Sequence, residues 1–350
     1  MVATQGYTIE RFATTKEEGK FEKVSHQEPA LDEYQVYVKV KACGVCHTDC
    51  LFAGEEGRIL GHEAVGEIVD VGTRVTNVSK GDLVGYAYMK SSCLSCMECY
   101  SGNDIMCRKR SMFPEGRNNG YAYGAICDAR FVYPIPKGIE AKHAGPLMCA
   151  GSTMFSAIYQ GNVRPTDRIA IVGIGGLGHL GLQFARAWGC HVTAISTSRN
   201  KEAEARKFGA HDFLVSSEFT PEFIEKAEKF DVIISTVSVD IDYDVYLDLL
   251  KPYFAKVLPF LLDQKNFTGA ILGGRKINTL MLDFAARHNI RAQIEEYPMT
   301  VEGVEKAYHR MHEGTARYRA VLVVPSDTEK EVQATAVSEK PKEQKSAEGH

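Results

Sequence analysis

The chain has 350 residues, 44% of them hydrophobic and 25% charged, which is enough apolar mass for more than one core, since single cores stop growing at roughly 250 to 300 residues. Lysine and arginine number 41 against 45 aspartate and glutamate, and the resulting net charge of −4 excludes a broad basic field for nucleic acid or anionic lipid. No apolar run reaches the ~18 residues that span a bilayer and the first residues carry no apolar signal core, so the chain reads as cytoplasmic, with its ten cysteines reduced or bound to metal.

In chain order, the first part reads as β-structure. YQVYVKVKACGVC alternates apolar and polar residues, and AVGEIVDVGTRV is rich in β-branched residues and glycine, both patterns of half-buried strands. Between them stand CGVCHTDC, which runs from Cys43 to Cys50, and GHE, with His62 and Glu63. Cys46 and His62 are candidate ligands of a mixed nitrogen and sulfur zinc site. Cys149, in GPLMCAG, is the candidate third, and three protein ligands leave a fourth position open for chemistry. Each of these residues taken singly is more often core than ligand, so the weight lies on their conjunction with a four-cysteine loop and a nucleotide-binding pattern downstream.

Cys93, Cys96, Cys99 and Cys107 stand at the spacing C-x2-C-x2-C-x7-C, in a stretch whose Gly102, Asn103 and Asp104 let the backbone turn back on itself. Four thiolates suit a closed, structural zinc site. The spacing matches neither ferredoxin pattern, which argues against an iron–sulfur cluster, and unliganded loop thiols are the plain alternative. A zinc loop of this kind also occurs in binding modules, and the basic run Arg108–Arg110 gives that reading slight support without any aromatic and basic interleaving to extend it.

After about residue 150 the pattern changes. RIAIVGIGGLGHLGLQFARAWG predicts a strand, a glycine turn and a helix, and further strands and helices alternate through HVTAIST, RNKEAEARKFG, DVIIST and DVYLDLLK, as in a parallel sheet covered by helices. Gly173, Gly175 and Gly178 complete G-x-G-x-x-G, with Gly176 and Leu177 inside it, at the start of a helix where a pyrophosphate can approach the backbone. The end of the next strand decides which dinucleotide is bound. In place of the acidic residue of NAD sites it reads Ser196, Thr197, Ser198, Arg199, Asn200 and Lys201, hydroxyls and cations that suit the 2′-phosphate of NADP(H). The plain alternative is a charged helix start on the surface.

From about residue 289 the text IRAQIEEYPM, the amphipathic VEGVEKAYHRMHEG and the strand YRAVLVV predict a return to the first domain. Residues 326–350 hold no aromatic, leucine or isoleucine and are expected to be disordered. The expected division is therefore residues 1–150 with 290–325, residues 151–289, and the tail.

The order CGVCHTD, GHE, four-cysteine loop, LMCAG and GIGGLG resembles the zinc-containing medium-chain alcohol dehydrogenases, most of all their cinnamyl-alcohol-dehydrogenase-like branch. The resemblance implies an α/β protein, a β-rich GroES-like catalytic domain joined to a Rossmann domain with a doubly wound parallel sheet. It implies a catalytic zinc on Cys46, His62 and Cys149, and a structural zinc on Cys93, Cys96, Cys99 and Cys107. Asp49 would orient the His62 ring, Glu63 would sit behind the metal, Thr48 would pass the substrate's hydroxyl proton onward, and His47 would be a later relay station. An apolar primary alcohol or aldehyde as substrate and a homodimer are further implications.

Two departures from the family pattern support an alternative of another class. The connection CLFAGEEGRIL, between Asp49 and Gly61, is short, and the stretch from Leu249 to Gly274 lacks the glycine turn, strand and Val-Gly loop that help hold the nicotinamide in the family. A zinc-stabilised NADPH-binding protein with little dehydrogenase activity would have this sequence too. A zinc-free quinone reductase fits poorly, because all seven candidate ligands are present.

Overall fold

The computed structural model describes residues 6–251 and 269–326. Most of the altered stretch from Leu249 to Gly274, and nearly all of the expected tail, lie outside the described residues.

The strand Gln35–Val45 organises the first half of the fold. Its Val36, Val38 and Val40 are fully buried, the inward set of a period-two strand. It lies within a seven-stranded sheet and pairs with Glu63–Val71, Gly124–Asp128 and Arg319–Val323. The last of these pairings is long-range: Ala320 lies opposite Val45, with the strand Ile294–Pro298 beyond it at the sheet edge. The segment after residue 289 therefore returns to the first sheet. Register matters here. Gly44 opposite Glu63 and Ala320 opposite Val45 bring the Cys46 turn, His62 and Arg319 to one end of the sheet.

The second sheet has four parallel strands among the described residues, in the order Asp212–Val215, His191–Ser196, Arg168–Val172, Val232–Ser235. In chain order this is 3-2-1-4, the arrangement of a dinucleotide-binding half-fold, whose ligand crevice opens beside the first strand where the order reverses. Helices Ala150–Gln160, Gly178–Trp188 and Arg275–Arg287 share an aromatic core, in which the Phe155 ring lies 5.8 Å from Phe184, 5.8 Å from Trp188 and 5.7 Å from Phe284. No helix among the described residues is long and apolar enough to cross a membrane.

The two halves are tied together at polar points. Buried Asp104, in the four-cysteine loop, accepts hydrogen bonds from the backbone N–H and the Nε of Arg275, at 3.2 and 2.8 Å, at the start of the helix Arg275–Arg287. The Ser152 hydroxyl bonds Asn278 at 2.5 Å and accepts from the Gly273 N–H at 2.9 Å, so the chain re-entering at 269–274 is fixed against the helix Ala150–Gln160. The short connection after Asp49 is also held: the Thr14 N–H donates to the Arg58 carbonyl at 2.9 Å, and the Gly57 N–H to Thr14 at 2.8 Å.

Candidate active site and metal centres

Cys46 precedes the short helix His47–Cys50, and the carboxylate of Asp49 caps it by accepting the Cys46 N–H at 2.9 Å. The same carboxylate accepts from the Gly61 N–H at 2.9 Å and from the Tyr121 hydroxyl at 3.4 Å, and meets His62 Nδ1 at 3.2 Å. Asp49 is fully buried, so these partners replace the water it has lost. His47 stands exposed, and Thr48 is half-buried with its hydroxyl 3.7 Å from the Cys46 sulfur.

Cys149 arrives from 103 residues further along the chain. Gly145 wedges between the two strands, where an added Cβ would stand 2.8 Å from the Glu63 carbonyl and 3.3 Å from the Gly44 nitrogen, and only glycine lets the Gly145–Met148 turn pass this close. Cys46 and Cys149 end with their sulfurs 4.0 Å apart, and the ligand atoms of Cys46, His62, Glu63 and Cys149 all lie within 4.8 Å of one another. His62 Nε2 is buried and has no hydrogen-bond partner among the described residues. A buried nitrogen left unpaired beside two thiols is the donor set a zinc ion satisfies, with Asp49 fixing the other ring nitrogen. The residues present fit the metal. Tyr88 and Phe113 wall the imidazole, their ring centroids 5.5 and 4.7 Å from it, and Phe52 from the short connection packs on Phe113 at 5.5 Å.

The four-cysteine loop closes on itself. Cys96 and Cys99 sulfurs are 3.5 Å apart, Cys93 and Cys107 3.6 Å, Cys93 and Cys99 3.9 Å, and all ten cysteines are free thiols. A tetrahedron with zinc–sulfur bonds of about 2.3 Å has edges of about 3.8 Å, so these separations also fit the ion.

Sequence inspection missed Arg319. It is 2% exposed at the start of the closing strand, its Nη1 donates to the Val45 carbonyl at 3.2 Å and stands 3.4 Å from Glu63, and its Nε and Nη2 have no hydrogen-bond partner among the described residues. An arginine inside YRAVLVV was the available signal, because a buried guanidinium demands partners. Burial pushes the Glu63 carboxyl up to about 8 against the pull of Arg319, and the two groups form one buried pair behind the thiols.

Arg319 also reaches the glycine turn, where a Cβ on Gly176 would meet its Nη2 at 3.0 Å. Gly173 takes φ of +86°, and a Cβ on Gly178 would stand 1.9 Å from the Gly173 carbonyl oxygen, whereas nothing lies within 4 Å of one on Gly175. The turn, with Leu177 ahead of the helix, is closed toward the protein and open at Gly175. Gly178→Ala is expected to cost about 1–3 kcal/mol of stability and to weaken dinucleotide binding, which thermal unfolding and a fluorescence titration with NADPH would read.

Ser196 ends its strand half-buried, and Thr197, Ser198 and Arg199 are exposed. Lys201 is already engaged, its Nζ donating to the Ile174 carbonyl of the glycine turn at 2.9 Å. Arg199 meets two carboxylates, Glu202 at 3.3 Å and Glu218 at 2.9 Å. No acidic residue stands within the run from Ser196 to Lys201, but the fold brings Glu218 to it from the end of the neighbouring strand.

The chain is similar to known proteins over most of its length. Residues 32–137 match the alcohol dehydrogenase GroES-like domain, and residues 176–258 the zinc-binding dehydrogenase family. The chain is 36% identical over 334 residues to an aldehyde reductase, AdhA, of a Synechocystis species, covering 90% of this chain and 98% of that protein. It is 35% identical over 317 residues to cinnamyl alcohol dehydrogenase 1 of Ocimum basilicum, covering 83% and 88%. Among solved structures, a cinnamyl alcohol dehydrogenase of Sorghum bicolor superposes with a TM-score of 0.83 at 30% identity over 91% of this chain and 98% of its own. A cinnamyl alcohol dehydrogenase of Helicobacter pylori, complexed with NADP(H), superposes with 0.81 at 25% identity over 91% and 99%. The chain belongs to the zinc-containing medium-chain alcohol dehydrogenases, in their cinnamyl-alcohol-dehydrogenase-like branch, and is an oxidoreductase of alcohols and aldehydes.

Proposed function

We propose that this chain reduces apolar aldehydes with NADPH, and runs the reverse oxidation with NADP+, using one catalytic and one structural zinc ion. The observation that carries the reading is the convergence of Cys46, His62 and Cys149 around an unpaired buried nitrogen, one strand away from Arg319 and the glycine turn.

In this reading Cys46, His62 and Cys149 hold the catalytic zinc and Cys93, Cys96, Cys99 and Cys107 the structural one. A zinc ion supplies Lewis acidity for a substrate oxygen, and bound NADPH supplies the hydride. The protein's own residues do the rest. Asp49 holds the proton on His62 Nδ1, which leaves Nε2 free to ligate. The Thr48 hydroxyl, beside the Cys46 sulfur, holds the proton exchanged with the substrate oxygen, and exposed His47 carries it toward solvent. Tyr88, Phe113 and Phe52 keep water from the metal side and select an apolar substrate.

Arg319 offers its unpartnered Nη2 to the pyrophosphate over Gly175 and Gly176 while its Nη1 faces Glu63. Ser196, Thr197, Ser198 and Arg199 receive the 2′-phosphate, and Lys201 braces the turn. Residues 1–150 with 290–325 form the catalytic domain and residues 151–289 the nucleotide-binding domain, a division supported by the pairing of Ala320 with Val45. A cytoplasmic homodimer is the expected form, the location read from the lack of long apolar runs and the dimer from the resemblance. The binding-only alternative is not favoured, since relatives matched over 83% and 90% of the chain are named as a dehydrogenase and a reductase.

Arg319→Leu is expected to push the buried Glu63 carboxyl further up, so that it stays protonated, and to cost about 1–3 kcal/mol of stability through the lost hydrogen bond to the Val45 carbonyl. Arg319→Lys keeps a charge and should fold, with NADPH dissociation constants raised about tenfold to a hundredfold, as befits a lost charge-assisted bond. The reading itself is tested by steady-state reduction of hexanal, benzaldehyde and cinnamaldehyde with NADPH and with NADH. A kcat/KM at least about tenfold higher with NADPH, eroded by Arg199→Ala, is expected. Equal use of both cofactors would overturn the 2′-phosphate assignment, and zinc-loaded protein without turnover on any aldehyde would overturn the reductase reading.

A further inference from the structure

A cavity of about 380 Å³ opens beside the segment Leu83–Ser91. Tyr86, Met89 and Lys90 line it, whereas the intervening Tyr88 stands against His62 in the active site. The cavity is therefore distinct from the site described above. One side of its wall is apolar, through Tyr86, Met89, Ile126 and Phe131, each of them buried, and the other is polar, through Glu115, Arg117 and Asp128.

One side chain on this wall is chemically out of place. Lys90 is half-buried, donates to the backbone carbonyl of Glu115, and has no ion pair among the described residues. The carboxylates around it make no ion pair with it, although Glu115 pulls its amine upward against the larger effect of burial. The Glu115 carboxylate accepts the Ser111 hydroxyl at 2.6 Å, Asp128 is held by Arg130 at 2.6 Å, and Arg117 on the same lining is a cation. The Cys127 thiol, also on the lining, is pushed up to about 12 by burial and stays neutral. Burial brings the Lys90 amine down to about 8. At pH 7 its neutral, nucleophilic fraction is then on the order of a few hundred times that of an ordinary lysine.

We propose that Lys90 is a covalent capture site for apolar aldehydes, its Nζ forming an imine with an aldehyde whose hydrocarbon part lies against Tyr86, Met89, Ile126 and Phe131. The nitrogen lone pair forms the new bond to the carbonyl carbon. The carbonyl oxygen leaves as water with the two protons of the neutral amine, the carbon–oxygen double bond is replaced by carbon–nitrogen, and nothing is oxidised or reduced. The choice of aldehyde as electrophile rests on the proposed reaction, which makes and consumes aldehydes. Capture needs neither zinc nor NADPH, so it can fail or succeed independently of that reaction.

The test is to incubate the full-length protein, without cofactor, with hexanal and cyanoborohydride between pH 6 and 10 and to measure the alkylation rate of each lysine by peptide mass spectrometry. Lys90 should be alkylated at least about tenfold faster than the median lysine at pH 7, with a half-maximal rate near pH 8, and should lose this advantage in denaturant. Lys90→Arg should abolish the fast-labelled peptide while leaving the other lysines unchanged. A Lys90 rate no higher than that of exposed lysines, or one rising only above pH 10, would overturn the proposal.

Discussion

His62→Ala is expected to release one of two zinc ions per chain and to lower aldehyde reduction by a factor of about a thousand or more. The magnitude follows from the loss of several kcal/mol of charge stabilisation at the reacting oxygen, each 1.4 kcal/mol being about tenfold in rate. The release follows from the geometry: Nε2 is the one nitrogen in the group, it is buried, and Asp49 already occupies the other ring nitrogen. Cys46→Ala and Cys149→Ala should behave alike, because three residues holding one ion act as a unit and their effects do not add. Asp49→Asn is the informative intermediate. It keeps the ligands but replaces an acceptor that fixes the His62 tautomer, and outer partners of this kind are worth about 10- to 100-fold in metal affinity or activity. Zinc content by elemental mass spectrometry, measured beside kcat, separates the two cases.

Cys107→Ala is expected to have a comparably large effect by another route. Cys107 is 1% exposed, and its sulfur stands 3.6 Å from that of Cys93. The segment it closes has little core of its own, only a small cluster around Met89, Ile105, Phe131 and Leu272. Such a segment depends on its metal, and structural zinc in small domains is worth about 10–16 kcal/mol in apparent binding free energy, as much as the whole net stability of an ordinary domain. Its loss should free Asp104, and with it the Arg275 anchor at the start of the helix Arg275–Arg287. Limited proteolysis should then cut the chain between residues 89 and 112, and the thermal transition should fall or broaden. Met97→Ala, at a side chain 78% exposed in the same loop, should change neither.

The fold was legible where one period dominated. The strand around Val36, Val38 and Val40 alternates without interruption, and the strand, glycine turn and helix from Arg168 to Trp188 carry their own stop signals, with Gly189 at the end in a left-handed conformation. The loop cysteines Cys93, Cys96, Cys99 and Cys107 were legible because their spacing is local. What sequence inspection could not supply was register. Arg319 lies more than 250 residues from Glu63 in the chain, and only the pairing of Ala320 with Val45 brings the two together. Glu218 escaped for the same reason: it reaches Arg199 across parallel strands, and a reading confined to the run from Ser196 to Lys201 contains no trace of it. The bond of the Lys201 ammonium to Ile174 was likewise out of reach, a contact made by the fold of the turn.

The most direct test of two metal centres with separate tasks is a stepwise chelator titration that follows zinc release, NADPH-dependent reduction of an aldehyde, and folding by circular dichroism in one sample. Two zinc ions per chain are expected, with turnover lost at the release of one and the folded signal lost only with the other. Full turnover by zinc-free protein, or fewer than two ions in the active enzyme, would contradict the assignment of Cys46, His62 and Cys149 to one centre and of the four-cysteine loop to the other.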